Sequence, residues 1–239
     1  MARREDETTT GGRSMVAERL EAVCNRVYAA AERAERDPSE ITLVAVSKGR
    51  SAEAVLAAYE AGQRDFGENR SVELAAKAPS LPDDIRWHFI GSLQTRQAKI
   101  ARPHTALLHS LDRSRLANVW STGEPVPPAL IQVNVAGEAQ KHGIEPQSAG
   151  QLLEQAVALG IPCRGLMTMA PLSVDPEDSR RWFRELRLLR DGFQVAHPDL
   201  VELSMGMTDD YEVAIEEGAT IIRVGRAIFG PPGLPALSD

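Results

Sequence analysis

Cysteine is scarce in this chain of 239 residues, which contains only Cys24 and Cys163. Neither lies in a CxxC motif or at a Cys/His spacing typical of zinc or redox sites, so we expect reduced thiols and no metal. Positive charge is also in deficit, because 27 Lys and Arg residues stand against 34 Asp and Glu, for a formal net charge of -7. This balance argues against nucleic acid as a partner, since no basic field would hold it.

Long apolar stretches are absent as well. No segment approaches the roughly 20 apolar residues that a membrane-spanning helix needs, and residues 1–12 lack the apolar core of a secretory signal. We therefore expect a cytoplasmic protein with no membrane partner, a disordered N-terminus over 1–13 and one domain over 14–239. The pattern shows no obvious apolar seam, so we expect a monomer.

What the chain does contain is a regular alternation of short β-branched runs with helical patterns, after an amphipathic helix predicted over 14–36. Such alternation is typical of βα units and a parallel sheet. The eight candidate strands are 42–47, 64–67, 86–90, 106–110, 129–135, 162–168, 200–203 and 220–224. The clearest helical patterns are 52–61, 146–159, 176–191 and 209–217, followed by Gly62, Gly160, Gly192 and Gly218 as C-terminal caps.

Eight βα repeats predict an α/β fold, a single (β/α)8 TIM barrel with an extra N-terminal helix. An open doubly wound sheet is the alternative, because the pattern alone does not show whether the first and last strands pair. In such barrels the active end lies where the strands finish. The residues that directly follow the strands are therefore the first candidates for a site.

Lys48 stands at the end of the apolar run 41–47, where a buried strand would deliver one amine to its carboxyl end. An apolar site favours the neutral form of an amine, which can attack a carbonyl to make a Schiff base. The alternative is a lysine that simply ends the strand and reaches water. Lys48 is thus a candidate reacting lysine.

Two turns of small residues, 204–208 and 225–227, follow the last two predicted strands. Gly206 and Gly225 would let the backbone approach an anion, and barrels commonly bind phosphate at this pair of loops. The alternative is that both glycines only satisfy tight turns and that Asp209 and Glu212 form a capping box. The turns indicate a candidate phosphate pocket.

Arg223 interrupts the last predicted strand, and a buried guanidinium needs an acceptor. That acceptor is either a carboxylate on a neighbouring strand or the pyridine nitrogen of a ligand. A reacting lysine, a phosphate pocket and this arginine together fit pyridoxal 5'-phosphate (PLP), which carries an aldehyde and a phosphate. A permanently charged arginine at the ring nitrogen would disfavour ring protonation and make the cofactor a weak electron sink.

The sequence resembles the PLP-binding family often called YggS or PROSC, whose barrel is similar to the N-terminal domain of alanine racemase. The blocks that carry the resemblance are VAVSK at 44–48, FGEN at 66–69, WHFIG at 87–91 with 93–94, GLMTM at 165–169, LSMGM at 203–207 with 209–211, and RVGRAIFG at 223–230. They run almost end to end through the chain.

The resemblance implies a Schiff base on Lys48 and an arginine, Arg223, that faces the pyridine nitrogen. It also implies phosphate contacts from Ser204, Gly206, Met207, Gly225 and Arg226. Two segments depart from the family pattern: 49–51 (GRS) replaces Thr-x-Pro, and 95–97 (TRQ) replaces a stretch with Asn-Lys. These departures put in doubt what the rim recognises.

Several further residues have two interpretations. Asn69 and His88 are predicted to line the pocket, but Asn69 could cap the next helix and His88 could be a packing residue. Met167 contacts the ring or packs the core. Asp112 is predicted to be a helix N-cap rather than an acid catalyst.

The sequence favours a carrier over an enzyme. The resemblance to alanine racemase implies a second base, a tyrosine from another domain, whereas here the predicted barrel uses up the chain and Tyr28, Tyr59 and Tyr211 lie at poor positions. We therefore expect reversible PLP binding, with buffering and transient delivery to PLP-dependent apoenzymes. The alternatives are a PLP-dependent amino-acid racemase and an aldolase that uses a lysine imine without a cofactor.

Overall fold

Eight parallel strands form a closed barrel in the computed structural model, which describes residues 4–138 and 140–231, with side chains from Met15 onward. The strands are β1 (Thr42–Val46), β2 (Asp65–Glu68), β3 (Arg86–Phe89), β4 (Leu107–Leu111), β5 (Ala129–Gln132), β6 (Cys163–Met167), β7 (Glu202–Met207) and β8 (Ile221–Val224). Each strand pairs with the next, and β8 pairs with β1 to close the sheet. The predicted barrel is confirmed, and the open doubly wound sheet is wrong.

Helices surround the barrel. They are α1 (Arg4–Arg33), α2 (Ala52–Glu60), α3 (Ser71–Lys77), α4 (Ala98–Ala101), α5 (Ser114–Trp120), α6 (Pro146–Ala158), α7 (Arg180–Gln194), α8 (Tyr211–Glu216) and α9 (Arg226–Phe229). Short 3-10 helices precede β1, follow α3, flank α4 and precede α7. Among the residues that the structure describes, no helix is long and apolar enough to cross a bilayer.

Successive side chains of a strand point to opposite faces of the sheet, so the barrel has one apolar cluster on each face. The interior cluster consists of Val44, Leu107, Leu130, Met167 and Ile221. The larger cluster lies between the strands and the surrounding helices and includes the large buried rings of the fold. Residues adjacent in a strand therefore serve different layers of the core.

Helix α1 lies along the side of the barrel, where it packs against α2, α8 and α9. Its predicted apolar face is buried except at Met15, which is 50% exposed. Arg26 pairs with Glu212 at 2.6 Å and Arg33 pairs with Glu216 at 3.1 Å, so ion pairs fasten α1 to α8. Helix α1 therefore covers α2, α8 and α9, the helices next to the β1–β8 pair that closes the barrel.

The helix begins at Arg4, earlier than the sequence predicts. Residues 4–13, expected to be disordered, continue it, since extending an existing helix requires no new nucleus. Residues 1–3 and 232–239 lie outside the described part of the chain.

Two predicted boundaries are wrong. Helix α7 continues through Gly192 to Gln194, so this glycine is not a C-terminal cap. Strand β7 continues to Met207, although the sequence predicts a turn from Ser204. Gly206 has a φ of +89°, and the register against β8 shifts between Ser204 and Met207. The end of β7 is thus an irregular strand, and its turn is confined to 208–210.

We expect Gly206→Ala to lower the free energy of unfolding by about 3 kcal/mol, because strain at a positive φ adds to overpacking. A Cβ at this position would lie 2.5 Å from Ala214 Cβ and 2.9 Å from Tyr211 Cα. Gly160→Ala is the matched control, since its φ is +77° and a Cβ there would have no atom of the described residues within 4 Å, apart from its chain neighbours. We expect it to lose about 1 kcal/mol. Urea unfolding measures both variants, and equal losses would contradict a specific clash with α8.

Candidate functional site

A cavity of about 470 Å³ opens at the carboxyl ends of the strands. Its volume is typical of pockets that hold small organic ligands. The residues that line it are Val46, Lys48, Asn69, Ile90, Gly91, Ser92, Gln132, His142, Met169, Met207, Thr208, Arg223, Gly225 and Arg226. Six of the ten predicted site residues are therefore brought together: Lys48, Asn69, Met207, Arg223, Gly225 and Arg226.

Lys48 lies two residues beyond β1 and reaches the cavity from its rim, with an exposed rather than buried side chain. Within the described part of the chain, no hydrogen bond or ion pair engages its Nζ atom. The sequence has four lysines, and the other three do not line the cavity. Lys77 is ion-paired, Lys99 is exposed on α4, and Lys141 pairs with Glu138 at 2.5 Å. Lys48 is therefore the amine available to a ligand in the cavity.

A buried ion pair lies next to the lysine segment. Lys77 Nζ, on α3, lies 2.6 Å from the Glu68 carboxylate at the end of β2 and 3.1 Å from Glu73. The side chains of Lys77 and Glu68 are 7% and 0% exposed. Burial raises the pKa of Glu68, while hydrogen bonds from Lys77 and Ser47 act in the opposite direction. The pair is therefore sensitive to the loss of either partner.

This ion pair holds the backbone on both sides of Lys48. Ser47 donates its hydroxyl hydrogen to the Glu68 carboxylate at 2.6 Å, and its carbonyl accepts from Lys77 at 3.1 Å. The amide of Gly49 donates to the Glu73 carboxylate at 2.6 Å. The residues that flank Lys48 are thus fixed to β2 and α3, whereas no described residue holds its own Nζ atom.

Arg223 lies on β8 at the base of the cavity and is 4% exposed. Its Nη1 donates to Ser204 Oγ, and its Nη2 donates to the Thr168 carbonyl at 2.8 Å. No carboxylate within the described residues pairs with it, so the predicted alternative of an ion pair across strands is not formed. Burial lowers the pKa of Arg223 to about 10, partly offset by Asp210. A charged guanidinium with neutral acceptors retains further N–H groups for a ligand.

The β8 side of the cavity is formed by the start of α9. Gly225 is the N-cap, and the first N–H groups of a helix have no partner within it. A Cβ at Gly225 would lie 3.3 Å from Val46, so this residue also allows β8 to pack closely beside β1. The guanidinium of Arg226 pairs with Asp209 at the surface. This wall offers backbone donors and one cation to an anionic group.

On the β7 side of the cavity, a backbone amide predicted to bind phosphate already donates to a side chain. The amide of Met207 donates to Asp210 Oδ1 at 2.7 Å, so this predicted phosphate donor already has a partner. Asp210 is the N-cap of α8 but makes no side-chain hydrogen bond to the helix. The alternative interpretation, a capping box formed by Asp209 and Glu212, is therefore wrong. Asp210 instead closes the turn after β7.

Four predicted site residues lie away from the cavity lining. Ser204 and His88 are buried inside the barrel, Met167 packs in the interior cluster, and Gly206 contacts α8. The sequence predicts a turn over 204–208, in which every backbone group would be near a ligand. In a strand, alternate residues face different layers.

Neither Asp112, which was predicted to be an N-cap, nor Asn69, for which a cap was the alternative, caps a helix. Asp112 is not the N-cap of α5, which is Arg113, and the two side chains pair instead. Asn69 is not the N-cap of α3, which is Arg70, and so remains free to line the cavity. A Cβ at Gly91 would lie 2.4 Å from the Asn69 carbonyl oxygen, so a glycine is required where these two loops meet.

Gln132 and His142 line the cavity but were not predicted. Gln132 is the last residue of β5, and the sequence placed the end of that strand at residue 135. A shorter predicted strand would have put Gln132 among the candidates. Its Nε2 donates to the His142 carbonyl at 3.0 Å. His142 comes from the long connection after β5, for which the sequence carries no periodic signal.

A second cavity of about 400 Å³ opens at the opposite end of the barrel, beside Pro162 and Cys163. Burial raises the pKa of the Cys163 thiol to about 12, which keeps it protonated and unreactive. In barrels this end serves stability, whereas sites lie where the strands finish. The lysine-containing cavity is therefore the candidate site.

Comparison with known proteins agrees with this assignment, although no family model matches the chain. The pyridoxal phosphate homeostasis protein of Aquifex aeolicus is 43% identical over 220 residues, which cover 89% of this chain and 96% of that protein. The protein of the same name from Pseudomonas aeruginosa is 40% identical over 223 residues, covering 91% and 96% respectively.

Among solved structures, PipY of Synechococcus elongatus with PLP bound superimposes with a TM-score of 0.75 and 36% identity, covering 90% of this chain and all of that one. Alanine racemase from Corynebacterium glutamicum superimposes with a TM-score of 0.68 at 14% identity, over 92% of this chain and 64% of that one, and shows the fold alone. The fold and cavity define a (β/α)8 barrel that has at its mouth a lysine with no partner among the described residues. The chain belongs to the pyridoxal phosphate homeostasis protein family.

We expect Lys77→Met to lower the free energy of unfolding at neutral pH by about 3 to 5 kcal/mol, because it leaves the Glu68 carboxylate buried without its partner. A carboxyl group whose pKa is higher in the folded than in the unfolded state stabilises the fold most at pH values below its unfolded pKa. That stabilisation is lost as the pH rises through the folded pKa. The deficit of the variant should therefore shrink as the pH falls toward 4.5, the ordinary pKa of Glu68.

The double variant Glu68→Gln, Lys77→Met removes the buried charge and serves as the control. It should be more stable than Lys77→Met at neutral pH. Denaturant unfolding at several pH values measures all three proteins. A single variant as stable as the wild type would contradict the buried ion pair.

Proposed function

We propose that this protein binds PLP reversibly through a Schiff base with Lys48 and takes part in PLP homeostasis, by buffering the cofactor and delivering it to apoenzymes. The observation that carries the proposal is the pairing of a free lysine amine with a buried arginine that has no carboxylate partner among the described residues, both on one cavity. These are the groups that an aldehyde and a pyridine nitrogen need.

The donor set fits the cofactor. Lys48 supplies the amine for the aldehyde, Arg223 supplies N–H groups for the ring nitrogen, and the start of α9 with Arg226 supplies donors for the phosphate. When bound, PLP contributes an aldehyde that condenses with primary amines. Because Arg223 carries a positive charge at neutral pH, it favours an unprotonated ring, which holds the cofactor as a weak electron sink.

The relatives support this proposal. Curated relatives at 40% identity or more are named pyridoxal phosphate homeostasis proteins, and the PipY structure contains PLP. Because PLP-dependent apoenzymes need the cofactor inside the cell, we place the proposed buffering and delivery in the cytoplasm, with a monomer that contacts the apoenzymes transiently.

The position of the tyrosines supports a carrier rather than a racemase. None of Tyr28, Tyr59 and Tyr211 lines the cavity. Tyr28 is 56% exposed on α1, Tyr59 donates to Asp84 at 2.8 Å, and Tyr211 is buried under Arg26. A two-base reaction requires a second proton donor within reach of the substrate, and these tyrosines do not provide it.

We expect addition of PLP to the purified protein to produce a visible absorbance band that borohydride reduction fixes on Lys48. Peptide mapping distinguishes it from the other three lysines. Lys48→Ala should abolish the band and the adduct, whereas Lys99→Ala, which removes an exposed lysine outside the cavity, should retain both. The absence of a band in the wild-type protein would defeat the proposed PLP site.

The PLP-loaded protein should restore activity to a PLP-dependent apoenzyme and should not interconvert amino-acid enantiomers. Chiral analysis after incubation with saturating alanine tests the second part. Enantiomer exchange that disappears in Lys48→Ala would replace the carrier by a racemase. Recovery of apoenzyme activity in the presence of an excess of a free-PLP scavenger would show transfer by direct contact.

A further inference from the structure

A chain of buried polar side chains crosses the interior of the barrel below the cavity. Asp65 Oδ1 lies 3.1 Å from His88 Nε2, and His88 Nδ1 lies 2.9 Å from His109 Nε2. His109 Nδ1 lies 2.8 Å from Ser204 Oγ, which accepts from Arg223. The five residues come from β2, β3, β4, β7 and β8, and each is 8% exposed or less.

When both histidines are neutral, the hydrogen bonds between these side chains all donate in one direction, toward Asp65. Hydrogen bonds from His88 and Arg86 outweigh the effect of burial and hold the pKa of Asp65 below its ordinary value, so its carboxylate accepts from His88 Nε2–H. His88 Nδ1 then accepts from His109 Nε2–H. The remaining nitrogen, His109 Nδ1, accepts the hydroxyl hydrogen of Ser204.

This direction determines how Ser204 meets Arg223. With its hydrogen committed to His109, the Ser204 hydroxyl presents its lone pairs to the guanidinium. Burial lowers the pKa of His109 well below its ordinary value, and the charge of Arg223 acts in the same direction, so His109 is neutral, as this arrangement requires. A protonated His109 would place a second donor on Ser204 beside the arginine.

We propose that His109 is a positioning residue which, backed by His88 and Asp65, orients the Ser204 hydroxyl and thereby holds Arg223 toward the ring nitrogen of bound PLP. The inference rests on the proposed PLP site and assigns a role to a histidine that does not line the cavity. It also gives Ser204 a role different from the phosphate contact that the sequence resemblance implies.

The test compares PLP affinity and the position of the absorbance band in variants of the chain. His109→Phe and Ser204→Ala should each weaken PLP binding about tenfold, the effect of one hydrogen bond to a charged group, and shift the band in the same direction. Because both act through Ser204, the double variant should be no weaker than the worse single variant. His109→Asn, whose oxygen can accept from Ser204, should recover most of the affinity.

Ser110→Ala is the matched control. Ser110 adjoins His109 on β4, is 0% exposed, and its hydroxyl has no hydrogen-bond partner in the described part of the chain. A general disturbance of the core should affect this variant too, whereas a role through Ser204 should not. If His109→Phe does not fold, the small change Ser204→Ala still tests the proposal.

Nitrogen NMR of the histidine rings in the unmodified protein gives an independent measurement that needs no PLP. Near neutral pH, His88 and His109 should both carry their hydrogen on Nε2. A hydrogen on His109 Nδ1, or PLP affinity and band unchanged in both Ser204→Ala and His109→Phe, would overturn the inference. A wild-type protein that shows the expected tautomers but no PLP band would instead defeat the proposed function.

Discussion

The pairing of β1 with β8 is the constraint on which the site depends. Val44 lies opposite Arg223 and Ala45 lies opposite Val224, so the segments that follow the two strands emerge side by side. This register places Lys48 and Gly225 on one cavity, although they are far apart in the chain. Helix α1 packs over α2, α8 and α9, which flank the same seam. The strand pairing that closes the barrel therefore also brings the residues of the site together.

Three basic side chains lie near the mouth of the barrel, Lys48, Lys77 and Arg223, and each has a different environment. Lys77 is buried against Glu68, so its charge is used in holding the fold. Arg223 is buried against neutral acceptors, so no carboxylate among the described residues balances its charge. Lys48 has no partner in the described structure and sits at the rim, where its amine is accessible. A buried charge without an ion-pair partner is costly in a medium of low dielectric constant. A buried charge of this kind beside a cavity is therefore typical of a functional site.

Much of the fold was predictable because the signals are local. β-branched runs and helical periodicity located all eight strands and the helices α1, α2, α6, α7 and α8. The ends of the predicted strands pointed to Lys48 and Gly225, and the charge inside the last strand pointed to Arg223. The errors concern features that local pattern does not specify. The sequence ended β7 too early and β5 too late, which misassigned Ser204 and missed Gln132. Whether a side chain faces the interior or the mouth depends on register, which neighbouring strands decide.

The sequence by itself determined the order of βα units, the lysine after the first strand and the arginine within the last, since each is read from residues close together in the chain. Only the tertiary structure decided that the sheet closes and that His88 and His109 meet below the cavity. It also decided that Lys77 is ion-paired whereas Lys48 has no partner among the described residues. Those properties arise from contacts between residues distant in sequence, such as Asp65, His109 and Ser204. Their geometry exists only after the strands have paired.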